Sequence, residues 1–301
     1  MIVFHSPDSD GWVSGALVKK FLHPEGQLTY ANYNQDEEAV RRILAAKPKK
    51  LYVVDYSFKP EVFDQIIDAC GEVFWYDHHE TAIQGASEKM KALKGHRESG
   101  RSAAWWIYQD CEEKNAALGK LVEFVSDYDT FNFDDNRPLV YDAPCFNAWI
   151  SFDRGGAIDQ LNRAWNLIEE LYDWEDDEEA DDYLIDFVRA GRTYLSNELN
   201  NAKSASKRAV FGSYDDMRFA AINSANLNPA YVCKPHQVDC AFVFCWYMLN
   251  DGKIKLDLRS DKLCGADVSR IAKILGGGGH EHAAGCTITL DTFLKIMEKR
   301  E

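Results

Sequence analysis

Over its first hundred residues the chain alternates short apolar runs with segments of helical periodicity. "MIVFH" reads as a short buried strand, and "WVSGALVKKFL" then carries Val13, Ala16, Leu17 and Phe21 at helical spacing. "LTYANYN" reads as a strand and "DEEAVRRILAA" as a helix. "KKLYVVDYS" is another buried strand, after which Pro60 opens the helix "EVFDQIIDACG" and Gly71 stops it. "EVFWYDHH" is the next strand, followed by helices in "SAAWWIYQDC" and "AALGKLVEFVSDYD". Strand and helix in strict alternation predict an α/β fold: a parallel sheet with helices on both faces.

The texture then changes. Residues 130–183 hold "DDNRP" and the acidic run "DWEDDEEADD", read as a solvated surface. Its carboxylates lack the spacing of an EF-hand loop. "YLIDFVRAGRTYLSNELNNAKSASKRA" reads as one long helix connecting two domains, for which 301 residues is length enough. Beyond it, "MRFAAINS" and "VDCAFVFCWYML" read as strands, and "NDG" is a hairpin turn leading into the returning strand "KIKLDLRS". "ADVSRIAKIL" is an amphipathic helix with Val268, Ile271, Ala272 and Leu275 on one face, and it ends in "GGGGHEHAAG". The expected division is a first domain over 1–190, a connecting helix over 191–212 and a smaller α/β domain over 213–301.

Several classes of function are disfavoured. No stretch approaches the roughly 20 apolar residues of a membrane span, and "MIVFHSPDSDGW" lacks the basic and apolar regions of a signal peptide. The eight cysteines form no CxxC pair, so reduced thiols in a cytoplasm are expected. A net charge of −15 argues against gripping long duplex nucleic acid. It leaves room for a small phosphorylated substrate, because bound cations reverse the field locally.

The acidic and imidazole side chains fall at particular places on this map. His5, Asp8 and Asp10 follow the first strand in "HSPDSDG". Asp55 ends "LYVVD"; Asp77, His78 and His79 end the strand "EVFWY"; Asp127 ends the helix "LVEFVSD". Each fragment alone has a plain structural explanation: a turn, a helix cap, a strand-end histidine, a helix-end carboxylate. Together, groups at the carboxyl ends of parallel strands share the edge where open α/β sheets bind ligands. Carboxylates gathered there repel one another unless cations intervene, and mixed oxygen and nitrogen ligands suit Mn²⁺, Fe²⁺, Zn²⁺ or Mg²⁺. More carboxylates than one ion needs point to two ions sharing one of them, a device for hydrolysing phosphate esters. Asp127 and Asp129 sit two apart, so on a helix they point about 200° from each other; Asp127 is taken as the inward one. In the far domain the glycine run is either a turn after a helix or a loop whose N–H groups approach phosphate, with His280 as a further donor.

These segments resemble a known family. "HSPDSDG", "VVDYS", "DHH" and "SDYD" fall in the order of the four motifs of the DHH phosphoesterases, and "LRS" with "GGGGHEHAAG" resembles their C-terminal DHHA1 domain. The resemblance spans nearly the whole chain apart from about 130–200. One departure is that His5 and Asp8 have two residues between them, where three are commoner. The resemblance implies that one ion takes His5, Asp8 and Asp55, and the other takes Asp10, Asp55, His78 and Asp127, with Asp55 bridging. It further implies that Asp77 orients His78 and that His79 faces the scissile phosphate. From the second domain, Arg259, Gly277, Gly278, Gly279 and His280 would contact substrate. The implied cofactors are two divalent ions, Mn²⁺ first, with Mg²⁺, Co²⁺ or Fe²⁺ as alternatives.

The expected activity is metal-dependent hydrolysis of phosphate esters in short nucleotides: oligoribonucleotides, linear or cyclic dinucleotides, or nucleoside bisphosphates. A manganese pyrophosphatase or exopolyphosphatase is the alternative within enzymes. A non-catalytic nucleotide-binding sensor is the alternative outside them.

Overall fold

A computed structural model describes residues 1–33, 36–133, 140–152, 155–173, 177–225, 227–233, 239–261 and 266–298. "DDNRP", Cys264 and part of the acidic run lie outside the described residues. The chain forms two compact units, Met1–Leu195 and Ser196–Glu301. Among the described residues no helix is long and apolar enough to cross a membrane.

In the first unit the elements run β1 (Ile2–His5), α1 (Ser9–Leu17), β2 (Leu28–Ala31), α2 (Glu37–Ala46), β3 (Lys50–Val54), α3 (Pro60–Ala69) and β4 (Glu72–Tyr76). Short helices α4 (Glu80–Gln84) and α5 (Glu88–Lys91) come next, then α6 (Ala103–Asp110), α7 (Ala116–Asp129), α8 (Asp142–Ile150), α9 (Ala157–Tyr172) and α10 (Asp177–Ser206). The sheet order is β2-β1-β3-β4 and every pairing is parallel. Side chains alternate across it as a strand requires. Val3, Leu51, Val53, Val73 and Trp75 pack on Ala39 and Ile43 of α2, Phe63 and Ile66 of α3 and Met90 of α5. Phe4 faces the other way, against α1: a Cβ added at Gly15 would lie 3.1 Å from the Phe4 Cβ. Each fully buried side chain of this kind contributes about 1.5–3 kcal/mol. Helix α1 is buried all round, because α6, α7 and α9 close over it.

Sequence punctuation sets the helix starts. Asp8 caps α1 by accepting from Gly11 N at 3.1 Å, Pro60 stands at the first position of α3, Ser102 caps α6 and Asn115 caps α7. The strand order places a topological switch between β1 and β3. The connection from β1 leads through α1 to β2 on one side, and that from β3 leads through α3 to β4 on the other. The turns after β1 and β3 therefore diverge and leave a crevice at the carboxyl edge.

Helix α10 is the long connector, running across the boundary between the units. It ends at Ser206, short of the expected 212, and Val210–Tyr214 is instead strand β5. The second unit continues with β6 (Met217–Asn223), α11 (Pro229–Cys233), β7 (Phe242–Met248), β8 (Ile254–Arg259), α12 (Val268–Ile274), β9 (Gly278–His280), β10 (Ala283–Ile288) and α13 (Leu290–Met297). Its sheet has the order β5-β6-β7-β8-β10-β9 and is antiparallel except for β6 with β7. Phe219, Phe244, Leu256, Leu258 and Cys286 form its core with Val268, Ile271, Phe293 and Ile296 from α12 and α13.

Candidate metal centre

The carboxyl edge of the first sheet collects the groups singled out in the sequence. His5 is the last residue of β1 and Asp8 caps α1 just beyond it. Gly11 permits this tight turn, since a Cβ there would lie 2.1 Å from the His5 carbonyl oxygen. Asp55 comes directly after β3 with φ +53°, a left-handed conformation that Asp tolerates better than most residues. Its N–H donates to the Tyr76 carbonyl at 2.8 Å, which fixes it beside the end of β4. Asp77, His78 and His79 continue from β4. Asp10, in the first turn of α1, accepts from the N–H groups of Ala103 at 2.9 Å and Ala104 at 2.8 Å, so its carboxylate also caps α6.

Among the described residues of this unit the ligand-capable atoms gather in three groups: His5, Asp8 and Asp55; Asp10, Asp55 and His78; and Asp55, Asp77 and His79, each with its atoms within 4.8 Å of one another. Asp55 belongs to all three. His5 Nδ1 lies 3.1 Å from Asp8 Oδ2 and 3.3 Å from Asp55 Oδ2. His78 Nε2 lies 3.3 Å from Asp55 Oδ1 and 3.6 Å from Asp10 Oδ2. Burial disfavours a charged His5, yet Asp8 and Asp55 outweigh it and raise its pKa to about 10. Burial likewise opposes charge on His78, but Asp129, Asp55 and Asp10 raise it well above its ordinary value. Burial, then the charges of Asp55 and Asp129, push Asp10 well above the usual carboxylate range. Buried carboxylates that repel one another are the electrostatic condition a cation relieves.

The donor set fits divalent ions. It mixes carboxylate oxygen with imidazole nitrogen, and among the described residues His5 Nε2 is buried without a hydrogen-bond partner. Unsatisfied buried donors or acceptors are rare unless a ligand uses them.

At two positions the contacts differ from those the resemblance implied. Asp127 is not the acidic residue of α7 that reaches the histidines: it pairs with Arg101 at 3.7 Å and accepts from Asn132 at 2.8 Å. Asp129 Oδ2 lies 2.9 Å from His78 Nε2. The reason is helical phase. Asp129 continues the buried stripe of Val122 and Val125, whereas Asp127 continues the more exposed stripe of Lys120 and Glu123. Asp77, in turn, does not orient the His78 ring. Its Oδ1 pairs with His79 Nδ1 at 2.7 Å and accepts from the backbone N–H groups of His78 at 2.8 Å and His79 at 3.0 Å, so it fixes the His79 imidazole. Trp75 Nε1 donates to Asp77 Oδ2 at 3.3 Å from below.

Tyr33, which sequence reading passed over, also borders the group. Its ring lies edge-on to His5 with centroids 5.3 Å apart, and 6.0 Å from the His79 ring. No spacing rule flags it; only the stacking of β2 beside β1 brings it there.

The residues singled out in the second unit lie in its own sheet. Arg259 ends β8 opposite Ala283, donates from Nη1 to the Leu258 carbonyl at 2.8 Å, and has a buried Nε with no hydrogen-bond partner among the described residues. The glycine run is not wholly a loop: Gly278–His280 forms β9, paired with β10. Two of its glycines have a packing reason. A Cβ at Gly277 would lie 2.0 Å from the Gly285 carbonyl oxygen, and Gly279, at φ +141°, would meet the Ala283 carbonyl oxygen at 2.5 Å.

Neither a protein-family model nor a curated protein matches the sequence. Solved structures do match in fold. A pGpG-specific phosphodiesterase, PggH from Vibrio cholerae, aligns at 13% identity and TM-score 0.55, over 99% of this chain and 96% of that one. The DHH domain of a protein described as belonging to a family of ribosomal proteins aligns at 13% identity and TM-score 0.50, over 99% of this chain and 84% of that one. The chain thus has the fold of the DHH proteins: a parallel-sheet α/β domain joined by a long helix to a smaller α/β domain.

Proposed function

We propose that this chain is a metal-dependent phosphoesterase that hydrolyses phosphate esters of short nucleotides, with a linear dinucleotide as the leading candidate. The observation that carries the reading is the Asp55 carboxylate, 1% exposed and common to all three ligand groups of the sheet edge. A single carboxylate with ligands on either side is the arrangement that holds two ions about 3.5–4 Å apart. His5, Asp8 and Asp55 would hold one ion; Asp10, Asp55, His78 and Asp129 would hold the other. Mn²⁺ is the ion we place first, because carboxylate oxygens, which suit it, outnumber imidazoles in this set. When bound, the ions would supply Lewis-acid neutralisation of phosphoryl charge and activation of water at neutral pH.

The remaining steps belong to the protein. Asp77 holds His79 Nδ1, so the nitrogen of His79 that would meet a phosphoryl oxygen is Nε2. Burial opposes a charged His79, and Asp77 outweighs it, raising its pKa. His79 would thereby donate to developing negative charge. In the second unit, read as a DHHA1-like substrate-binding domain, Arg259 and His280 with Gly277, Gly278 and Gly279 are the candidate contacts for nucleotide. The description of PggH as pGpG-specific supports a small linear substrate, as does the net charge of −15, which disfavours long polymers.

A panel of pGpG, cyclic dinucleotides, short oligoribonucleotides, nucleoside bisphosphates, pyrophosphate and polyphosphate, assayed after chelation and Mn²⁺ add-back, tests this. Release of mononucleotide or phosphate from a short nucleotide only when metal is restored supports the reading. Turnover of pyrophosphate or polyphosphate alone would favour the alternative hydrolase. Nucleotide binding without any turnover would favour a sensor.

A further inference from the structure

The carboxylates of the centre are hydrogen-bond acceptors, and so are the oxygens of a phosphoryl group. Beyond ions and His79, a substrate there needs a neutral donor. Tyr33 lies where such a donor is wanted. It sits just past β2 at the carboxyl edge of the sheet. Its ring is backed by Tyr56, centroids 4.8 Å apart and 33° between planes. Tyr56 is itself fixed: it is 1% exposed, donates its hydroxyl to Asp36 at 2.9 Å and meets Phe58 edge-on at 5.1 Å. Tyr33 is therefore held by a rigid neighbour, and the residue as a whole is 37% exposed.

The placement is specific. Tyr33 borders His5 at 5.3 Å and His79 at 6.0 Å, residues of two different ligand groups. The Tyr33 phenol oxygen has no hydrogen-bond partner among the described residues. The Tyr56 hydroxyl, committed to Asp36, cannot serve instead. A phenol O–H can donate one hydrogen bond to a phosphoryl oxygen.

We infer that Tyr33 is a substrate-contacting residue whose phenol O–H donates a hydrogen bond to an oxygen of the bound phosphoryl group, an assignment that rests on the phosphoesterase reading above. The Tyr33→Phe variant tests it, because the ring contacts with Tyr56 and His5 survive and only the hydroxyl is lost. Titration calorimetry measures Mn²⁺ binding first, then inorganic phosphate binding to the Mn²⁺-loaded protein. Hydrolysis of bis(p-nitrophenyl) phosphate is measured in parallel.

The expected result is Mn²⁺ affinity within about twofold of wild type, phosphate affinity weakened about tenfold or more, and kcat/KM lowered about ten- to a hundredfold, as for a hydrogen bond to a charged group. Unchanged phosphate affinity overturns the assignment, whatever turnover does. Loss of Mn²⁺ together with phosphate also overturns it, since the residue would then be a support for His5. A wild-type protein that neither binds phosphate nor turns over the ester sinks the phosphoesterase reading and this assignment with it. Wild-type turnover with an indistinguishable variant sinks the assignment alone.

Discussion

Replacing Asp55 by Asn separates its charge from its shape. Asn is nearly isosteric and accepts the left-handed backbone at φ +53° as readily as Asp. Ala would add a steric penalty of roughly 1–2 kcal/mol there and blur the result. In the metal-free protein the change is double-edged. It weakens the contacts with His5 and His78 at 3.3 Å, but it also relieves Asp10, which burial and then the Asp55 charge push up. These effects oppose one another, so metal-free stability should move by no more than about 2 kcal/mol, or roughly 4–8 °C in Tm for a unit of this size. Metal binding has no such compensation. Two unit charges about 4 Å apart interact by on the order of 4 kcal/mol at an effective dielectric of about 20, which for a divalent ion is a lower bound. Each ion that Asp55 serves should therefore lose at least about a thousandfold in affinity. Thermal unfolding in chelator and Mn²⁺ titration calorimetry measure the two halves separately. A variant that still binds two Mn²⁺ with wild-type affinity refutes the bridging role. A variant that unfolds in chelator shows that Asp55 is a structural residue first.

Further outcomes come from the same geometry. Asp129→Asn should lower Mn²⁺ affinity and turnover at least tenfold, while Asp127→Asn, which only frees Arg101 and Asn132, should stay within about twofold; the reverse ranking in a side-by-side assay would restore Asp127. Metal binding should release protons near pH 7.5, because the pKa of metal-free His5 is raised from 6.5 to about 10 and a ligand must shed its proton; calorimetry in buffers of different ionisation enthalpy detects this, and heats independent of buffer contradict it. For stability the sign is the usual one for a raised pKa: the His5 contribution is present below pH 6.5 and lost as pH rises towards about 10, and Asp10, also raised, acts in the same direction. Gly11→Ala should cost about 1–3 kcal/mol and disturb metal binding, since the new methyl would sit 2.1 Å from the His5 carbonyl oxygen; a Tm and Mn²⁺ affinity equal to wild type would show that α1 can shift freely.

The parallel sheet and the strand-end cluster of carboxylates and histidines were legible because both depend on local pattern. Apolar runs such as "YVV" and "VFWY" must be strands buried on two faces, and the residues directly after each run must lie at the carboxyl edge. His5, Asp8, Asp10, Asp55, His78 and His79 all fall there. Asp129 was legible too, had the phase of α7 been traced from Val122 and Val125 to its end. The partner of Asp77 was not, because either adjacent histidine could fold back on it and only the turn after β4 decides. Helix α9 carries a readable stripe in Leu161, Ala164, Ile168 and Leu171, masked by the acidic and aromatic residues beyond it. Strand β9 could not be foreseen, since glycines have no side-chain period and pairing with β10 is a tertiary event. Tyr33 belongs with these, placed by the register of β2 against β1 and the ring of Tyr56.

The most direct test of the proposed centre is anomalous diffraction from crystals soaked in Mn²⁺. Two peaks are expected at the carboxyl edge of the parallel sheet, about 3.5–4 Å apart, with an Asp55 oxygen bound to each and His5 and His78 on opposite ions. A single peak that Asp55 does not touch, or peaks only on the exposed acidic surface, would contradict a two-ion hydrolytic centre built on that residue.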